Sequence, residues 1–140
     1  MSTVFTDISA ALDKHLNDMV GKPPIAWPNN EYTPVKGTLY ARPTNLSGDF
    51  QQVTLGDSGE DQVTGIYQID IFAPSGEGKY ESSTMADLIA DQFKRGANPT
   101  YNGVTLRVRS ATLREGINEN NGWYHTFIEV NYLAITQART

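Results

Sequence analysis

The sequence predicts a small α+β domain: one unit over residues 1–140, with a mainly antiparallel sheet of about five strands and two helices packed on it. Three observations predict it. Two segments carry apolar residues at helical spacing, and several others alternate or run apolar for the length of a strand. The strands also follow one another through short polar loops, with no helix at every step. A chain of 140 residues can bury one core without cross-links.

The first helix is expected over residues 3–20. Phe5, Ile8, Leu12, Leu16 and Met19 recur on one face, and Gly21 with Pro23-Pro24 closes it. The next segment, IAWPNNEYTP, has Pro24, Pro28 and Pro34 to stiffen an extended path, and Pro28 biases Trp27 away from helical geometry. Trp27 is expected to pin this strap to the core, with Pro28 beside it and Tyr32 as a second, less buried anchor. Thr38–Pro43 and Phe50–Leu55 are short strand candidates, followed by the polar loop GDSGED. Val63–Ala73 is apolar on both faces, Tyr67, Ile69 and Ile71 on one and Ile66 and Phe72 on the other, as in a central strand. A second helix is expected over Thr84–Arg95, with Met85, Leu88, Ile89, Gln92 and Phe93 on one face. Thr84 and Asp87 form its capping box and Gly96 its stop. Two long strands, Val104–Leu113 and Trp123–Ile135, joined by GINENNG, complete the order: helix, three strands, helix, two strands.

Composition removes several functional classes. A formal charge of −5 does not suit a protein that coats nucleic acid or an anionic membrane. With no cysteine there is no disulfide framework and no thiolate chemistry. No apolar run approaches the roughly 20 residues that span a bilayer, and the N-terminal residues do not read as a signal peptide. No membrane partner is expected.

The candidate catalytic features are weak. GDSG at residues 56–59 matches the letters around the nucleophile of trypsin-like proteases, but Glu60 follows, and His15 and His125 have no protease-like setting. His15 reads as lying on an exposed side of its helix. Gly76-Glu77-Gly78 sits between a strand and a helix, where phosphate loops occur, but Tyr80 follows Gly78-Lys79 where a P-loop needs Ser or Thr. The histidines and carboxylates show no metal-ligand spacing. No catalytic, metal-ligating or cofactor-binding residue is expected.

Charge is distributed unevenly. From Pro43 to Gly78 there are six acids (Asp49, Asp57, Glu60, Asp61, Asp70 and Glu77) and no base. From Gln92 to Arg114 there are five bases, Lys94, Arg95, Arg107, Arg109 and Arg114, and no acid. This reads either as two solvated patches or as complementary halves of a head-to-tail contact, with Asp57, Glu60 and Asp61 facing the basic set of a neighbour.

The ordered pieces resemble a known family. The leading amphipathic helix, the Ala26-Trp27-Pro28-Asn29 segment, the Thr38–Pro43 strand, GIYQIDIFAP at residues 65–74, the ADLIADQF helix at 86–93 and the FIEVNYLAI strand are together similar to the tail-terminator, or tail-completion, proteins of long-tailed bacteriophages. The resemblance covers about residues 3–136. It implies a virion structural protein that forms a ring, typically a hexamer, caps the tail tube, ends its polymerisation and presents the head-joining surface. The partners it implies are further copies of itself, the tail tube protein and a head-completion or connector protein. DNA would pass through the bore without specific binding. The resemblance further implies assembly in the bacterial host cytoplasm and residence in the virion tail. A head–tail connector or other minor tail component is the alternative within this class, and a small nucleotide-binding or enzymatic domain the alternative outside it.

Overall fold

The computed structural model describes residues 4–28, 30–52, 60–76, 80–118 and 122–137. Its elements run α1 (Val4–Asn17), β1 (Tyr40–Gln52), β2 (Glu60–Pro74), α2 (Tyr80–Gln92), β3 (Thr100–Tyr101), β4 (Val104–Asn118) and β5 (Trp123–Gln137). One antiparallel sheet has the order β1-β2-β5-β4-β3, and both helices lie on the same face. The expected α+β class is thus observed, although its five strands divide differently: two precede α2 and three follow it.

Period-2 alternation decides which residues meet the helices. Val63, Tyr67, Ile69 and Ile71 of β2 join Ile128, Val130, Tyr132 and Ala134 of β5 in the main core. Ile8, Leu12 and Leu16 of α1, with Ile89 and Phe93, cover them. On α1 the stripe begins at Val4, four residues before Ile8. Phe5 therefore turns about 100° away and remains 46% exposed, contrary to its expected place in the core.

Three elements differ from expectation for local reasons. Tyr40–Pro43 and Phe50–Gln52, from the two expected segments, are parts of one strand in place of two, and residues 53–55 of the second segment lie outside the described residues. Pairing runs from Tyr40–Phe72 to Ser47–Gly65, skips, and resumes at Phe50–Val63, so one extra residue on β1 is absorbed as a bulge. The second helix begins at Tyr80, one turn early. Its buried stripe is Ser82, Ala86, Ile89 and Phe93, and the small residues at its start admit close packing on the sheet. Thr84 is therefore an exposed residue inside the helix and caps nothing, and Leu88 is 41% exposed. Finally, β3 and β4 are joined through Asn102 (φ 51°) and Gly103 (φ 83°), an Asn-Gly pair with both residues left-handed, which is the signature of a tight hairpin.

Both sheet edges are managed. The strap pairs with β1: Ala26 N–H donates to the Ala41 carbonyl at 2.8 Å, and Ala41 N–H to the Pro24 carbonyl at 2.9 Å. Because both polar groups of Ala41 point outward, Pro43, two residues on, removes a donor only from the outer edge. On the far side, residues 96–101 follow β4. Leu106 and Val108 N–H groups donate to the Pro99 and Ala97 carbonyls, and Gly96 N–H donates to the Val108 carbonyl. Gly96, at φ 90°, is the stop expected after α2.

Candidate subunit interface

The basic residues lie on β4 and on the segment beside it. Lys94 and Arg95 sit just beyond α2, where the Gly96–Val108 hydrogen bond holds the chain against the outer edge of β4. On β4, Arg107 is opposite Leu133 and Arg114 opposite Phe127, on the sheet face away from the helices. Arg109 falls in a bulge between Val108 and Ser110. All five are exposed. Arg114 Nη2 lies 3.3 Å from Glu129 Oε2, whereas Arg107, Arg109, Lys94 and Arg95 form no ion pair among the described residues.

The acidic set is less uniform than its sequence grouping. Asp57 and the GDSG letters lie outside the described residues. Glu60 and Asp61 begin β2, their backbones opposite Gln137 and Thr136. Their side chains are outside the described part. Asp70 does not belong to a solvated patch at all. It is 4% exposed, within 2.8 Å of His125 Nε2, and accepts from Gln68 Nε2 at 3.0 Å. Arg42 Nη2 lies 3.9 Å away. The same sheet face carries an aromatic series. Phe72 stacks between Tyr40 and His125, with centroids 4.9 and 4.5 Å away, and the Arg42 guanidinium lies 5.1 Å from its ring centre. Burial pushes the Tyr40 hydroxyl above its ordinary value, against the pull of Arg42. The sequence places Asp70, Phe72 and His125 in separate features and does not bring them together. The only signal was that Asp70, Phe72 and His125 fall on the second face of long apolar strands.

His15 also corrects its reading. It is half-buried, its Nε2 donates to the Gln92 carbonyl at 2.6 Å, and Gln92 Nε2 donates back to the His15 carbonyl at 2.6 Å. The reciprocal pair ties the end of α1 to the end of α2. Trp27 is half-buried against the main core, and Tyr32 packs on Tyr40 in a smaller cluster. Trp27 and Pro28 also line an open groove of about 750 Å³ between α1 and β1. Asp13 lies on that groove and accepts from the Tyr67 hydroxyl at 2.5 Å. Burial raises the Asp13 carboxyl above its ordinary value, partly offset by the Tyr67 bond, and burial with the adjacent carboxylate pushes the Tyr67 hydroxyl far up.

Among the described residues no group of three or more His, Cys, Asp or Glu side chains could hold a metal ion, and no helix is long and apolar enough to cross a membrane. The arrangement offers exposed bases around β4 and an open groove beside the strap, which suit docking of a surface. The sequence profile of the family described as phage tail terminator protein matches residues 7–132. The chain belongs to the phage tail terminator family. A solved structure 20% identical in sequence superposes with a TM-score of 0.73, over 95% of this chain and 96% of its own, which establishes a shared fold. No curated protein matches the chain. Membership in the terminator family gives the protein a structural role in phage tail assembly, interacting with other tail components and located in the virion tail.

Proposed function

We propose that copies of this terminator-family protein associate head to tail into a ring, a hexamer in the arrangement the resemblance implies, and that the ring caps the tail tube. Capping blocks addition of further tube subunits by occupying their docking surface, and the outer face of the ring receives the head-completion or connector protein. The family match across residues 7–132 carries this reading. The unequal charge supports it. Lys94, Arg95, Arg107 and Arg109 are exposed without ion-pair partners of their own among the described residues, as one half of a heterologous contact would be. Asp57, Glu60 and Asp61 are assigned to the subunit contact or to the bore, where acidic side chains let DNA pass without adhering.

The test is electron microscopy of tails assembled without this protein. Overlong tails are the expected result. Tails of normal length that fail to join heads would make it a connector, and a strict monomer that binds nucleotide would replace the assembly role altogether. Unchanged ring formation, capping and infectivity after Asp57, Glu60 and Asp61 are all replaced by Ser would remove the contact and the bore assignments alike.

A further inference from the structure

The outer face of α2 is built unlike a solvated helix surface. Tyr80, Thr84 and Leu88 follow at i, i+4 and i+8, all exposed, with Tyr80 78% and Leu88 41% accessible. Beside them runs a groove of about 630 Å³, walled on its other side by Pro23, Pro24 and Leu39. The helix carries three acids, Glu81, Asp87 and Asp91, and no base. All three acids are exposed and none forms an ion pair among the described residues. Lys22 lines the groove on the strap side, but every charge on the helix itself is acidic, and such a helix face calls for a partner surface with the opposite sign.

The same chain supplies that surface on its other flank. Arg107 and Arg109 on β4 are exposed bases without ion-pair partners among the described residues. The groove borders the strap that covers the β1 edge of the sheet, whereas Arg107 and Arg109 are on β4, with Arg107 on the sheet face away from the helices. The α2 stripe and Arg107 are therefore on opposite faces of the sheet, and they match between chains.

We propose that the α2 stripe of one copy docks on the basic β4 flank of the next, and that this heterologous contact is what joins neighbours in the ring. The inference rests on the ring reading and names its surfaces. Tyr80 and Leu88 fill the dry centre of the contact, while Asp87 and Asp91 face the arginines at its rim. An acidic helix meeting a basic strand also fixes polarity, since two α2 faces or two β4 flanks would place like charges together.

The experiment is light scattering after size exclusion on the full chain, over a range of concentrations and with purified tail tubes present or absent. The variants are Leu88→Arg, Asp87→Lys with Asp91→Lys, Arg107→Glu with Arg109→Glu, and all four charge changes combined. Each of the first three is expected to raise the concentration at which rings form, on the order of 10- to 100-fold, with far-UV circular dichroism and Tm unchanged. The combined charge swap is expected to recover most of the loss. Normal rings from all of the first three variants would overturn the assignment of these surfaces and leave the ring reading standing. Normal rings from Leu88→Arg that no longer cap tubes would give the α2 face to the tube subunit in place of a second copy. A wild type that is monomeric at every concentration and on tube ends would overturn the ring reading itself, and this inference with it.

Discussion

The Tyr132 side chain lies across Gly65, and a Cβ placed on Gly65 would stand 2.5 Å from the Tyr132 hydroxyl and 2.7 Å from Cζ. The two residues face each other in the β2–β5 pair. The bare glycine lets the ring lie flat over the strand and extend its hydroxyl to Asn45 Oδ1 at 2.7 Å, while Asn45 Nδ2 donates to Ser9 Oγ at 3.0 Å. Three strands and α1 are thereby joined through one glycine. Gly65→Ala has no cheap relief, because the added methyl also meets the Leu46 carbonyl at 2.9 Å. The expected cost is about 1–3 kcal/mol by urea denaturation. In a Tyr132→Leu background the same substitution is expected to cost less. An equal cost in both backgrounds would place the strain on the Leu46 backbone alone.

Asp70 gives a second prediction. Asp70→Ala leaves His125 and the Gln68 amide without their buried acceptor, and the expected loss is about 2 kcal/mol. Asp70→Asn keeps an acceptor oxygen of the same shape and is expected to lose less. Thermal melts of the two variants at one pH compare them directly. If Ala and Asn lose the same amount, the negative charge is the stabilising feature in place of the hydrogen bonds.

How much of this was legible in the sequence follows from the range over which each feature is determined. The helix-facing set of β2 could be read because Val63, Tyr67, Ile69 and Ile71 keep one register along the strand, a local property. The Gly96 stop could be read for the same reason. The strand at Tyr40–Gln52 could not, because Gly48-Asp49 resembles a break and only pairing with β2 turns it into a bulge. The β4 faces follow the sequence alternation up to Val108. A bulge then transfers the helix-facing role to Ala111, opposite Val130. The charge division was visible, yet its meaning was not. Asp70 is 55 residues from His125, and only strand register brings them together. Arg42, which completes that group, stands one residue before the Pro43 boundary of the acidic stretch. The α2 stripe escaped notice because the helix was started at Thr84, which left Tyr80 in a loop. Asn102-Gly103 carries a local hairpin signal that the expected strand list does not include.

Asp13 predicts a pH dependence. Burial makes its neutral form the favoured one in the folded state, so its folded value lies above the ordinary 3.8. For a group raised on folding, the stabilising contribution is fully present below the unfolded value and is lost as pH rises through the folded one. Asp13→Asn is neutral at every pH and keeps an oxygen to accept from Tyr67. The variant is therefore expected to gain on the wild type as pH climbs from about 3, with a plateau once the wild-type carboxyl is ionised. Melting curves across that range measure the difference. A variant that falls further below the wild type as pH rises would show that the ionised carboxylate, held by Tyr67, stabilises the fold.

Trp27 is the remaining test, because two roles meet on one side chain. It packs against the main core, and it also forms a wall of the 750 Å³ groove beside Asp13. The core role predicts that Trp27→Ala loses about 2 kcal/mol, below the 3–5 kcal/mol of a fully enclosed aromatic because the ring is half-buried. Loosening the ring also frees the strap, whose bonds at Pro24 and Ala26 cover the β1 edge. Exposure of that edge should appear as faster amide exchange at Ala26 and Ala41, confined to this end of the sheet. Assembly measured below the variant's melting temperature is expected to persist. An unchanged melting curve with lost assembly would reverse the assignment, making Trp27 an anchor for a neighbouring copy seated in the groove. The two outcomes differ in both observables, so one variant decides between them.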